Sequence, residues 1–353
     1  VIAMIRFREG QDISKSCTDL EVLKPAHEPH RHQVSLPYPF IQTSENMLMT
    51  NPTSVYSMPG TCFFDLGPAA GGEPYRIFLS IPAERPPAKG WPLLVMTDGN
   101  ATFPFAVASL VTQAPYPTGT NVGWGVIAAI GYPCDEPYDP LRRSWDLGPP
   151  PVKSYPPFVE GGPPVVIGGT GKMLDFIENE LIPRIAEMVI LDPTRRSLFG
   201  HSFGGLFTLY GLFERPGLFA NWIAASPTIY WENSEILKNE TQRQVIPGNA
   251  PFLHLSAGEH EGDELAPFQY RNEDAAARLE KRKIERTVLL AREMAERLDG
   301  AADGLRTEFE LYAGETHMSV LAPAINRAVS IAFAVEGLTD SEAKTENSRS
   351  ARL

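Results

Sequence analysis

The sequence predicts an α/β fold, a doubly wound and mainly parallel sheet covered by helices on both faces. Three observations predict it. Short apolar runs ended by Gly, Pro or Asp recur from Tyr75 onward, as strands buried on both faces require. Segments with apolar residues at 3.6-type spacing fall between those runs. The chain of 353 residues is long enough for one large core with appendages, and it contains no internal repeat.

Residues 1–60 carry turn formers and scattered polar residues with little periodicity, and read as an extended N-terminal arm with one or two edge strands. Within it, "HEPHRH" gathers His27, His30 and His32, but nearby prolines and the lack of a companion Cys or Asp favour a solvated loop over a metal site. A single domain is expected over residues 61–338. Its strands are expected in "YRIFLSIP" from Tyr75, "PLLVMTDGN" at 92–100, "GWGVIAAIGYP" at 123–133 and "RSLFG" at 196–200, then "NWIAASP" at 221–227, "PFLHLSAGE" at 251–259 and "TEFELYAGE" at 307–315. The segment "TGKMLDFIENELIPRI" sets Met173, Leu174, Ile177, Leu181 and Ile182 on one helical face, with Thr170 as N-cap. "RTVLLAREMAERLDG" repeats the pattern and stops at Gly300, a C′ glycine. Residues 134–169 are too rich in Pro and Gly for a regular element and read as a lid-like or specificity insertion. From Thr339 to Leu353 the tail is polar enough to be disordered.

Composition narrows the function classes. A net charge of −12 repels nucleic acid and anionic membrane surfaces at long range. No apolar stretch reaches the ~18 to 20 residues of a membrane span. Cys17, Cys62 and Cys134 match neither a disulfide framework nor a metal-ligand spacing, so no metal site is expected and a reducing compartment is favoured. The chain opens on Val1, which leaves an upstream signal segment open.

The chemistry is concentrated in "RSLFGHSFGGLFTLYGLF", residues 196–213, where Gly200, Ser202 and Gly204 form G-x-S-x-G. In that pattern a sharp strand-to-helix turn exposes a serine hydroxyl above a parallel sheet. Such a serine needs a general base and an acid that orients it, in the chain order Ser, Asp or Glu, His. Of seven histidines, His27, His30 and His32 precede Ser202, His201 adjoins it, His254 lies mid-strand and His260 sits where the acid belongs. His317, just after the last strand, remains as the base. The acid is expected in "AGEHEGDE": Glu261, three residues after Gly258, with Glu259 as the alternative. Oxyanion donors are expected from the Phe203 backbone and from Gly99 and Asn100 after an earlier strand.

Seven segments, "YRIFLSIP", "DGNATF", "AIGYPCDEPYDPLRRSWDLGP", "SLFGHSFGGLF", "ASPTIYW", "SAGEHE" and "YAGETHMSV", together resemble the esterase-D-type α/β-hydrolases that open the ester backbones of siderophores. That family includes enterobactin, salmochelin, bacillibactin and fusarinine-type esterases, and the resemblance spans roughly residues 60–335, with "GYPCDEPYDPLRRSWDLGP" its most specific piece. It implies an α/β-hydrolase fold and a serine esterase with Ser202 as nucleophile and His317 as base. It also implies a small-molecule siderophore substrate and no cofactor, iron entering only as part of the chelate. Arg142 and Arg143, in the insertion, are candidates to hydrogen-bond the chelate's oxygens, or to pair with an acid such as Asp139 or Asp146. An acidic protein favours a near-neutral hydroxamate, fusarinine-type chelate over an anionic catecholate. The alternative is a general carboxylesterase or thioesterase like the S-formylglutathione hydrolases. The cytosol is the expected compartment, with the terminal Ala351, Arg352 and Leu353 resembling a peroxisomal address.

Overall fold

The computed structural model describes residues 57–243, 251–299, 301 and 304–335. The expectations for residues 1–56, for Gly300 and for the tail lie outside them.

The described residues form ten strands: β1 (Thr61–Leu66), β2 (Tyr75–Ser80), β3 (Trp91–Met96), β4 (Val126–Gly131), β5 (Lys153–Tyr155), β6 (Val165–Ile167), β7 (Leu191–His201), β8 (Asn221–Ala225), β9 (Phe252–Gly258) and β10 (Arg306–Tyr312). Eight of them form one sheet in the order β1-β2-β4-β3-β7-β8-β9-β10. The β1/β2 and β2/β4 pairings are antiparallel, and every pairing from β4 to β10 is parallel. The sheet is therefore mainly parallel, as its apolar runs predict.

Its two faces explain why those runs are continuous rather than alternating. Along β3, Leu93 and Val95 enter one core cluster with Phe207, Leu209 and Phe213 of helix Phe203–Glu214. Leu94 and Met96 enter the other, with Phe103 and Leu110 of helix Gly99–Gln113 and Ile325 and Val329 of helix Leu321–Ala332. A strand covered on both sides needs an apolar residue at every position. Each such side chain, fully buried, contributes about 1.5–3 kcal/mol.

Two local expectations are corrected. Residues 170–186 are helical throughout, but the first residue inside the helix is Thr170, its hydroxyl has no partner, and Gly169 occupies the cap. A π-turn over Ile177–Leu181 sits just ahead of Pro183. The proline ring excludes a normally placed carbonyl four residues earlier, and the widened turn relieves that clash. The insertion at 134–169 also contains regular structure. Asp139 accepts from the Arg142 N–H (3.0 Å) and Pro140 opens helix Pro140–Leu147, while β5 and β6 pair as an antiparallel hairpin. An Asp cap followed by Pro at the first helical position is a helix start that Pro content conceals. Among the described residues no helix is long and apolar enough to cross a membrane.

Candidate active site

The elbow stands where β7 passes into helix Phe203–Glu214. Ser202 has φ 59° and ψ −114°, a left-handed conformation rare outside glycine. Its neighbours leave the turn no room for side chains: a Cβ on Gly200 would lie 2.0 Å from the Gly204 carbonyl, and one on Gly204 would lie 2.5 Å from Thr97 Oγ1. The strain holds the Ser202 hydroxyl at the C-terminal edge of the sheet, with its own N–H tied to the Ala225 carbonyl at 2.9 Å.

At the same edge, the loops after β9 and β10 bring Glu261 and His317 to the serine. Ser202 Oγ lies 3.0 Å from His317 Nε2, and His317 Nδ1 lies 2.5 Å from Glu261 Oε2. Glu261 is wholly buried. Its other oxygen, Oε1, accepts from Ser226 Oγ (2.5 Å) and from the Gly258 N–H (2.9 Å). Burial pushes the Glu261 carboxyl up, but the His317 imidazole and the Ser226 and Gly258 donors outweigh it and hold the group down at about 2. An ionised Glu261 can only accept, so His317 carries its proton on Nδ1 and leaves Nε2 free to take the serine proton.

Three supporting residues carry no sequence signal. Ser226 sits at φ 44° with its N–H on the Ser256 carbonyl, which aims its hydroxyl at Glu261. His201 donates from Nε2 to the His317 carbonyl (2.8 Å), and its ring lies 4.8 Å from the His317 ring. Burial, helped by the neighbouring His317 imidazole and the Arg143 guanidinium, drives His201 down to about 3, so it is a neutral prop for the base. Asp98, the third, is the buried carboxylate that pairs with Arg143.

The structure separates the two candidate acids. Glu259 is exposed and accepts the Gly314 N–H through Oε2 (2.6 Å), so it braces the loop beneath His317 while Glu261 meets the imidazole. His254 is a buried core residue bonded to Glu310 (3.2 Å), and the His260 N–H is tied to the Glu315 carbonyl (2.9 Å).

Phe203, Gly99 and Asn100 begin helices after adjacent parallel strands, β7 and β3. First-turn N–H groups have no acceptor within their own helix, and both helix N-termini are positive ends. The Asn100 side chain is committed elsewhere. It takes the Tyr132 N–H and donates to the Tyr132 and Cys134 carbonyls, so only its backbone N–H is available to the site.

Of the two arginines, Arg143 departs from the expectation. Arg143 is 6% exposed and closes a two-pronged pair on Asp98, Nε to Oδ1 at 2.8 Å and Nη2 to Oδ2 at 3.0 Å. That burial removes it from any chelate, and its acid is neither Asp139 nor Asp146. Arg142 donates to the Pro74 and Glu73 carbonyls and packs on the rings of Tyr75 and Tyr132. It lines a cavity of about 720 Å³ with Trp145 and Lys172, in which Ser202 and His317 take no part.

The chain as a whole is similar to known esterases. The Esterase family model matches residues 68–261. The chain is 31% identical over 289 residues to the ferri-bacillibactin esterase BesA of Bacillus subtilis, covering 81% of this chain and 93% of that one. It is 33% identical over 279 residues to the siderophore triacetylfusarinine C esterase of Aspergillus fumigatus, covering 74% and 89%. The solved siderophore hydrolase EstB of Aspergillus nidulans superposes with a TM-score of 0.69 at 28% identity, covering 82% of this chain and 99% of that one. With the family model spanning more than half its length, the chain belongs to the Esterase family and, within it, to the siderophore-esterase type of α/β-hydrolase.

Proposed function

We propose that the chain is a serine esterase that opens the ester backbone of a siderophore through an acyl-serine intermediate. The observation that carries this reading is the unbroken chain of contacts from Ser202 through His317 to Glu261. His317 Nε2 takes the hydroxyl proton as Oγ attacks the ester carbonyl, and the imidazolium hands it to the departing alkoxide. Water then enters by the same route: His317 takes one of its protons as the oxygen adds to the acyl carbonyl, and the imidazolium returns that proton to Ser202 Oγ as the C–Oγ bond breaks and the free acid is released. The N–H groups of Phe203, Gly99 and Asn100 receive the negative charge that develops on the carbonyl oxygen in each step. No cofactor is needed, and iron enters only within the substrate.

Cutting the backbone separates the chelating arms and lowers their effective concentration at the metal, which loosens the iron. The net charge of −12 supports a near-neutral tris-hydroxamate of the fusarinine type over an anionic tris-catecholate. The burial of Arg143 on Asp98 leaves one cation fewer for an anionic catecholate, which supports the same reading. We assign the enzyme to the cytosol, with the peroxisome as the alternative if Ala351–Leu353 is read as an address.

The test incubates the purified chain with a ferric fusarinine-type trilactone, a ferric catecholate trilactone and nitrophenyl acetate, with Ser202→Ala as control. Mass spectrometry should show gain of one water per ester, fastest with the fusarinine-type substrate and absent in the control. Turnover of the nitrophenyl ester with both trilactones left intact would replace this reading with a general carboxylesterase.

A further inference from the structure

The buried pair Arg143–Asp98 sits in the wrong place for substrate and in the right place for the turn beside the nucleophile. Removing both charges from water offsets most of their attraction, so a pair of this kind adds little net stability. What a two-pronged guanidinium–carboxylate contact supplies is fixed geometry. Here it acts on Asp98, a residue in the left-handed region at φ 56°, ψ 45°, which begins helix Gly99–Gln113. The Asp98 carbonyl takes the Ala101 and Thr102 N–H groups, and the Thr102 hydroxyl donates to the Thr97 and Asp98 carbonyls. The turn is thereby closed from inside the helix, while Arg143 grips it from outside.

Two close approaches tie this turn to its surroundings. A Cβ on Gly99 would lie 2.8 Å from the Ala129 carbonyl, so the chain runs hard against β4. Thr97 Oγ1 occupies the space beside Gly204 in the first turn after Ser202, and the Thr97 N–H is bonded to the Phe199 carbonyl at 3.1 Å. A shift of Asp98 therefore moves Gly99 and Asn100 relative to Phe203. Tyr138 covers the guanidinium, its ring centroid 5.5 Å from the Arg143 Cζ.

We propose that Arg143 is a positioning residue for ester hydrolysis, clamping Asp98 so that the Gly99 and Asn100 N–H groups are held in register with that of Phe203. The proposal rests on the serine-esterase reading, in which these three N–H groups receive the oxyanion. It differs from chelate recognition in one measurable respect. A clamp on the oxyanion turn affects every ester alike, whereas a substrate contact affects only the substrate that reaches it.

The test uses Arg143→Lys, which keeps the charge and loses the fork, and Asp98→Asn, which keeps the shape and weakens the pair. Removing an oxyanion donor outright typically lowers kcat by about a hundredfold to a thousandfold, and misplacing one should fall below that. Each variant is expected to lower kcat on nitrophenyl acetate by about tenfold to a hundredfold, with KM changed less than threefold. The loss should be equal on a ferric siderophore, and affinity for a trifluoromethyl ketone should drop in proportion. Rates are taken per active serine, counted by exhaustive fluorophosphonate labelling, so that a smaller folded fraction does not register. A kcat within threefold of the parent in both variants, or a loss confined to the siderophore, would overturn the proposal. Turnover that survived Ser202→Ala would instead sink the serine-esterase reading beneath it, and the two failures are told apart by that variant alone.

Discussion

Replacing Glu261 by Gln tests the orienting role of the acid with a change of one atom type. Oε1 is held by two donors, Ser226 Oγ and the Gly258 N–H, at 2.5 and 2.9 Å. An amide in the same place must therefore put its carbonyl oxygen at that position, because its NH₂ would meet two donors there. The NH₂ is then directed at His317 Nδ1, 2.5 Å from the present Oε2. Nδ1 has to become the acceptor, which moves the imidazole proton to Nε2 and leaves no lone pair for the Ser202 proton. A wrong tautomer of this kind has lowered kcat by about 10⁴ in a serine protease, equivalent to about 5.5 kcal/mol of transition-state stabilisation. We expect Glu261→Gln to lower kcat on nitrophenyl acetate by about 10³- to 10⁴-fold at neutral pH, with KM nearly unchanged. Nitrogen NMR of His317 should show the proton moving from Nδ1 to Nε2. Glu259→Gln, which touches only the Gly314 N–H, should stay within about threefold. A Glu261→Gln enzyme within tenfold of the parent would refute the assignment of the acid and the tautomer argument together.

Two further predictions concern buried groups. Ser226→Ala leaves Glu261 Oε1 with the Gly258 N–H as its remaining donor; a charge-assisted bond of this kind is worth about 1.5–3 kcal/mol, so kcat should fall about tenfold and the acidic limb of the kcat/KM profile should move to higher pH. An unchanged profile would mean that the hydroxyl is only a packing group. Asp146 accepts from Tyr75 and Tyr132, and burial, only partly offset by those hydroxyls and by Arg142, pushes its carboxyl up to about 6. Its folded value thus lies above the ordinary 3.8, and the stability that its proton confers is complete below pH 3.8 and lost as pH rises through 6. Asp146→Asn should therefore raise stability on the order of 1–3 kcal/mol at pH 8 and little at pH 4, as read from urea unfolding at both values. A stabilisation independent of pH would show that Asp146 does not titrate in this range.

What the sequence made legible follows from what periodicity and chain order encode. β3 and β4 are uninterrupted apolar runs because both faces are covered, and that requirement is written residue by residue. Ser202, Glu261 and His317 lie in separate loops, yet strand order alone limits which residues reach one edge of a parallel sheet, and the structure brings these three together. The supporting contacts obey no such rule. Arg143 and Asp98 are 45 residues apart, on elements that meet only through the tertiary fold, so two adjacent arginines on an unassigned segment looked available to a ligand. Ser226 and His201 carry ordinary residue types, and their roles come from the directions the backbone gives them. The helix at Pro140–Leu147 was hidden by proline content, although its Asp-Pro start was in the sequence.

The base hangs from the rim of the sheet. β10 is the terminal strand in the strand order, paired with β9 through a seven-residue parallel ladder, and its outer positions face solvent. The nucleophile, by contrast, rises from β7, which has partners on both sides. Catalytic competence and foldedness are therefore separate properties of this molecule. The loop carrying His317 is thus held on one side by this edge ladder and on the other by helix Leu321–Ala332, packed in the core beside Phe199, and local opening at an edge requires less free energy than global unfolding. The enzyme is built to fail from its margin inward. Substitutions that weaken the β9–β10 ladder are therefore expected to lower activity at temperatures below the global unfolding transition, so that activity reports on the seam between two strands before it reports on the whole protein.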